Sequence, residues 1–246
     1  MTMTGVLPSQ ALRRLIDPGG LSAQPAIQDD QIQPASLDLR LGTVAYRVRA
    51  SFLAGHGRTV ADRIAEFEMH RVDLTQGAVL EKGCVYVIPL MERLALPHGL
   101  TAVANAKSST GRLDLLTRTI TDGGVEFDRI APGYVGPLYA EVCPRSFSVL
   151  VRPGMRLNQI RFRDGQSVLN DAELAALHAV DPLVSGAAVI SEGLGFSVDL
   201  RPCEGDLLGF RAKPHTGVID LAKIGHYPAR DFWEDVRSSE GRIILD

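Results

Sequence analysis

From Ser36 to Arg163 the chain is a succession of short apolar runs punctuated by glycine and proline, the first of which, at 36–42, alternates with period two. SLDLRLG (36–42), YRVRASF (46–52), CVYVIPL (84–90), LTAVANA (100–106), PLYAEVC (137–143), FSVLVRP (147–153) and LNQIRFR (157–163) all read as strands. Strands at this frequency restrict the stretch to an all-β barrel or sandwich-like domain, and 24 glycines and 14 prolines supply its turns. Helices are expected only beside it. Ser9 can cap a first one, in which Leu12, Leu15 and Ile16 share a face before Gly19 and Gly20 end it. NDAELAALH (170–178) reads as a second.

The chain has 246 residues, 45% of them hydrophobic, enough to bury a core and to rule out disorder as the main state. A net charge of −3 argues against a general nucleic-acid binder but allows a local basic pocket for a small anion. Cys84, Cys143 and Cys203 are far apart and form no CxxC, which excludes a disulfide framework or cysteine-rich zinc site and fits a reducing compartment. The opening MTMTGVLPSQALRRLID has no apolar segment before a cleavage site, and no apolar run is long enough to span a bilayer. A cytoplasmic protein with neither membrane nor nucleic acid as partner is expected.

The chain then starts again. SLDLR at 36–40 returns as SVDLR at 197–201, VDL at 72–74 as IDL at 219–221, and GAVLEKG at 77–83 as GRIILD at 241–246, in the same order. Ordered matches predict an internal repeat whose second copy is incomplete or degenerate, and a half-built sheet leaves unpaired edges. The expected organisation is a β domain over 1–165, a helical linker over 166–192 and an incomplete second repeat over 193–246.

Residues able to do chemistry cluster between Ala106 and Phe162. Lys107, Ser108, Ser109 and Arg112 follow a strand in AKSSTGRLDLL, with Gly111 allowing a turn. An ammonium and two hydroxyls beside free backbone N–H groups would hold a small anion; a polar turn capped by Ser108 or Ser109 explains the same residues. DGGVEFDRIAPGYVG (122–136) reads as a hairpin. Glu141 sits inside the apolar strand PLYAEVC, where an acid either faces solvent or is buried for a purpose such as general-base work. Gln159 is a lone amide in a strand, readable as an edge hydrogen bond. Zinc-deaminase His-x-Glu and Pro-Cys-x-x-Cys motifs, Walker A, HExxH and G-x-S-x-G are all missing, and the six histidines are scattered.

In order, SLDLRLG, KSSTGRLDL, PGYVGPLYAEV and RPGMRLNQIRF resemble the motifs of the dCTP deaminase and dUTPase superfamily, and the two-repeat organisation resembles its alphaproteobacterial deaminases. The resemblance implies a mainly β, dUTPase-like β-clip, a distorted jelly-roll barrel with short helices, followed by a partial second repeat. It implies hydrolysis of dCTP to dUTP and ammonia, with Glu141 as general base and then acid, Arg112 orienting it and Ser108 on the water or leaving ammonia. Lys107, Ser109 and Gln159 would hold the triphosphate, Tyr134 would pack near the deoxyribose, and Asp128 would lie beside the substrate. Mg2+ would ride on the triphosphate and zinc would be absent. A trimer-like homo-oligomer would build its sites between subunits or repeats. Two positions depart from the family. Lys107 replaces an arginine, keeping charge but losing the bidentate fork. Ala131 stands where dUTPases carry the aspartate that activates water, which counts against a dUTP diphosphatase, although Asp128 lies close enough in sequence to raise the question of a replacement. A non-catalytic nucleotide-binding or scaffolding module is a third reading. Ammonia, pyrophosphate or neither as product separates the three.

Overall fold

Alternation along LTAVANA becomes a strand over its whole length, with Leu100, Ala102 and Ala104 buried and the residues between them less so. In this computed structural model, which describes residues 4–16, 19–165, 168–202 and 205–238, the same happens at most of the expected runs. In chain order the elements are β1 (Gly5–Val6), α1 (Ser9–Ile16), β2 (Leu21–Ala23), β3 (Leu37–Leu39), β4 (Val44–Val48), α2 (Val60–Phe67), β5 (Glu68–Asp73), β6 (Ala78–Leu80), β7 (Val85–Ala95), β8 (Leu100–Ala106), α3 (Ser108–Gly111), β9 (Leu115–Thr121), β10 (Arg129–Ile130), β11 (Val135–Pro144), β12 (Val149–Val151), β13 (Asn158–Asp164), α4 (Asp171–Val180), β14 (Leu207–Ala212), β15 (Ile219–Asp220), α5 (Ala229–Phe232) and β16 (Trp233–Arg237).

The chain divides into two units, Met1–Gly165 with Lys213–Phe232, and Gln166–Ala212 with Trp233–Asp246. In the first unit β1, β13, β8 and β10 form one sheet, with β3 also paired to β13. A second sheet runs β5-β4-β7-β11-β9, with β2 on β7, and a third runs β15-β12-β6. The sheets stay open, and the fold is the mainly β, dUTPase-like clip with short helices that the motifs imply. In the second unit β14 and β16 form a hairpin-like pair. There α4 is capped reciprocally, Asn170 Oδ1 accepting from Glu173 N–H and Glu173 Oε2 from Asn170 N–H.

Two local expectations change, and one helix is added. Ser9 is the first residue of α1 and not its cap; the Pro8 carbonyl accepts from Ala11 and Leu12. The strand expected over 46–52 ends at Val48, and the chain turns so that Phe52, Ala54 and the Val60 and Ile64 face of α2 pack on Val48, Val87 and Ile120. The α2 helix carries a start signal in sequence, a Thr59–Asp62 capping box whose two hydrogen bonds measure 3.1 and 3.0 Å.

The repeated pentapeptide behaves differently in its two settings. Leu37 and Leu39 are fully buried because β3 pairs with β13 in the register Asp38↔Gln159. At 197–201 there is no strand; Val198 is 80% exposed, and Asp199 and Arg201 pair with each other. IDL at 219–221 does enter a sheet, but as β15 lying parallel to β12 of the first unit. Arg152 holds Asp220 there with two parallel bonds of 2.6 and 3.1 Å, so Lys213–Phe232 returns to the first unit and departs from the sequence division at 193. GRIILD (241–246) and Cys203 lie outside the described residues.

One buried ion pair organises the first unit. The Arg40 backbone N–H and Nε donate to the two oxygens of Glu92, each at 2.8 Å, and both side chains are almost wholly buried. Gln31 Nε2 donates to Glu92 Oε1 and to the Asp38 carbonyl, and the remaining Arg40 nitrogens reach the carbonyls of Pro25 and Ala26. Breaking such a pair from one side leaves a buried unpaired charge. Glu92→Ala is expected to cost about 3–5 kcal/mol in urea unfolding. Replacing Arg40 and Glu92 together by methionine and leucine should recover most of that loss; a single-variant cost below about 1 kcal/mol would show the network to be dispensable.

Candidate active site

The long strand β11 places Glu141 between β7 and β9 in the second sheet, opposite Val87 on one side and Arg118 on the other. Its side chain is 1% exposed, so the solvent-facing alternative is excluded. Arg118 Nε donates to Glu141 Oε1 at 3.1 Å, and Arg118 Nη2 donates to the same oxygen. Oε2 is buried and accepts no hydrogen bond from the described residues. The guanidinium lies over the Phe127 ring, 3.7 Å from its centroid, and Nη2 also reaches Ser51 Oγ at 3.0 Å.

Asp128 joins this group. It adopts a left-handed backbone, φ 64°, which aspartate tolerates better than most residues. Its Oδ1 accepts from Thr119 N–H at 2.7 Å, and its own N–H and carbonyl bond to Thr119 and Ala104. Burial pushes its carboxyl above the ordinary range; the Thr119 N–H and the Arg118 charge pull the other way, and the Glu141 charge adds to the rise.

Lys107 and Gln159 meet around β3 instead. Lys107 Nζ donates to Asp38, which is 2% exposed and has one buried oxygen, Oδ1, without a partner among the described residues. Gln159, opposite Asp38 in the ladder, accepts from Ser36 Oγ at 2.9 Å. It is not an edge residue, since β13 is paired on both sides. The Lys107 N–H and Thr110 Oγ1 both donate to the Leu157 carbonyl and fasten the serine turn onto the chain entering β13. Asn158 Nδ2 donates to Thr119 Oγ1 at 2.8 Å, linking β13 to the strand that holds Asp128.

Ser108, Ser109 and Arg112 are exposed, and their side chains have no hydrogen-bond partner among the described residues. Within one chain the arginine on Glu141 is therefore Arg118 and not Arg112. Tyr134 sits in the turn before β11, its hydroxyl donating to the Pro137 carbonyl at 2.6 Å and accepting from Asp122 N–H at 3.2 Å. Burial pushes that phenol up to about 12, so it stays neutral. A Cβ at Gly136 would stand 2.5 Å from the Tyr134 hydroxyl, so that turn needs glycine. Arg118, Phe127, Ser51 and Asp38 were not among the residues expected from sequence. For Arg118 a signal exists in LLTRTIT, whose alternation puts it in phase with Ile120 and out of phase with the buried threonines.

Residues 3–166 match the family model described as the 2'-deoxycytidine 5'-triphosphate deaminase (DCD) N-terminal domain, and residues 170–246 match its C-terminal domain. The chain is 29% identical over 165 residues to a protein of Natronomonas pharaonis named dCTP deaminase, covering 66% of this chain and 82% of that one. A protein of Coprothermobacter proteolyticus named dCTP deaminase, dUMP-forming, is 29% identical over 164 residues, 64% of this chain and 81% of that one. The crystal structure of 2'-deoxycytidine 5'-triphosphate deaminase from Agrobacterium tumefaciens superposes with a TM-score of 0.88 at 50% identity, covering 95% of this chain and 71% of that one.

The raised carboxyl of Asp128 has a stability consequence of definite sign. Its contribution to folding is fully present below the ordinary aspartate range and is lost as pH rises through the raised value. Asp128→Asn keeps the acceptor for Thr119 and suits the left-handed backbone. It is expected to raise Tm at pH 7 by about 1–3 °C, a small gain because the carboxyl is still partly solvated. Melting curves at pH 7 and pH 4 check this: the gain should vanish at the lower pH, and equal or opposite shifts would contradict the assignment.

Proposed function

The chain belongs to the 2'-deoxycytidine 5'-triphosphate deaminase family, and on that premise we propose how its own residues carry the reaction. It is an enzyme that deaminates dCTP, in the synthesis of the dTTP precursor. The observation that carries the residue assignment is the buried Glu141 with one oxygen held and the other free. Deamination at C4 of cytosine needs a base to take a proton from water and an acid to give one to the departing amine. One carboxylate serves both steps in turn. Glu141 is that group.

Ser108 and Arg112 complete the site from another copy of the chain, in a homo-oligomer that we take to be trimer-like. Their exposure and lack of partners within one chain support this arrangement. Lys107, Ser109 and Gln159 hold the triphosphate, with Mg2+ entering on its oxygens as part of the substrate. The ammonium of Lys107 is neutralised by Asp38 in this structure, so phosphate would have to share it. Tyr134 shapes the turn against which the sugar packs. No zinc enters the scheme; among the described residues no three His, Cys, Asp or Glu side chains gather as metal ligands. No helix among them is long and apolar enough to cross a membrane, and we assign the reaction to the cytoplasm. The product assigned is dUTP, because Ala131 leaves no carboxylate where dUTPases activate water. Pyrophosphate released with ammonia would instead place this chain with its dUMP-forming relatives.

Glu141→Gln keeps the shape and removes the proton transfer. Ammonia release should fall by about 10²–10⁴-fold while dCTP binding stays within about tenfold. Near-parental turnover would remove Glu141 from the mechanism. Shared sites make a second prediction. Glu141→Gln and Ser108→Ala chains, each inactive alone, should recover about a quarter of parental activity when dissociated and reassembled at equal ratio. No recovery from a properly assembled mixture would mean that each site is built within one chain.

A further inference from the structure

The hold on Glu141 is lopsided, and the asymmetry is informative. Both donating nitrogens of Arg118 converge on Oε1, while Oε2 is buried with no donor among the described residues. A buried carboxylate oxygen left unmatched forfeits the hydrogen bonds it made to water and gains none in return, so a purely structural pair would fill it. Glu92 is the internal comparison: its two oxygens take three hydrogen bonds from Arg40 and Gln31.

We propose that Arg118 is a positioning residue for the deamination, fixing Oε1 of Glu141 so that Oε2 is the oxygen that handles the proton. The inference rests on the reading of Glu141 as the general base. The β9–β11 ladder sets Arg118 opposite Glu141, so the pairing is built into the sheet register. Three segments then immobilise the guanidinium: Glu141 itself, Ser51 from the turn after β4, and the Phe127 ring beneath it. An arginine stacked on a ring and bonded at two sites cannot swing to Oε2 without losing those contacts.

The proton balance closes on one atom. Water loses a proton to Oε2 as its oxygen bonds to C4 and the C4=N3 π pair moves onto N3; Oε2 returns the proton to the amine as the N3 pair re-forms C4=N3, the C4–N bond to the amine breaks and ammonia leaves, and the remaining hydroxyl proton passes to N3 as the product takes its keto form. Glu141 ends as it began.

The test measures kcat and KM for dCTP in the full chain. Arg118→Ala should lower kcat about a hundredfold, the loss typical of a misplaced reacting group, with KM within about threefold. Guanidinium ion at tens of millimolar should restore at least a tenth of the lost rate, and Arg118→Lys should recover part of it, neither of which a packing defect would allow. Phe127→Leu keeps bulk but removes the stacking surface and should lower kcat by about three- to tenfold; it decides the matter if Arg118→Ala fails to fold. Added to Glu141→Gln, the Arg118→Ala change should cost little more, because the two act as one unit. Near-parental kcat in folded Arg118→Ala or, failing that, in Phe127→Leu, with Glu141→Gln inactive, overturns the proposal and leaves the general base standing. A raised KM with unchanged kcat overturns it in favour of substrate binding. An active Glu141→Gln enzyme overturns the base assignment itself.

Discussion

The Arg40–Glu92 pair is the constraint from which the first unit is assembled. Two ionised groups removed from water must satisfy each other completely, or their desolvation would exceed their attraction. Here Glu92 comes from β7 of the second sheet and Arg40 from the residue after β3, which pairs with the first sheet. The pair therefore joins two sheets, and Gln31 with the Pro25 and Ala26 carbonyls binds the incoming chain to the same point. With β3 fixed in this way, Asp38 is fixed too, and Asp38 sets where Lys107 can reach. The position of a candidate phosphate ligand thus follows from an ion pair that touches no substrate.

Buried acids in this protein sort by how completely they are satisfied. Glu92 has both oxygens filled, whereas Glu141 and Asp38 each keep one oxygen without a partner among the described residues. Saturation suits a structural role, since it removes the cost of burial. An unfilled oxygen keeps a cost that only a visiting group can relieve. Glu141 is itself one of the residues that the family motifs single out, and Asp38 is paired with another, Lys107.

Much of the fold could be read from sequence because most core strands alternate apolar residues with others. The exceptions are physical. In β9 the buried face after Leu115 is made of threonines, Thr117, Thr119 and Thr121, so that face carries little apolar signal, and Arg118 shares the opposite phase with Leu116 and Ile120. In β3 Asp38 is buried between Leu37 and Leu39, because Lys107, distant in sequence, arrives to neutralise it. The motif positions at 107, 128, 134, 141 and 159 are visible locally, but their partners are set by ladder register. The pentapeptide pair shows the limit of local reading: SLDLR is a buried strand where β13 meets it, and SVDLR is exposed and irregular where no strand does.

The return of Lys213–Phe232 to the first unit bears on how the protein is made. In the three-stranded sheet β12 lies between β6 and β15, and the Phe147 ring packs edge-on against Phe232 at 5.6 Å. A chain emerging from the ribosome can close most of the first two sheets once β13 is out. It cannot complete the third until Ile219, Asp220 and Phe232 have been synthesised, after the whole of α4 and the 197–201 stretch. Contacts this far apart in sequence form late because the loop between them must first be closed. Through that interval the outer edge of β12 is an open strand, so the nascent first unit is most exposed to mispairing when it already looks nearly finished.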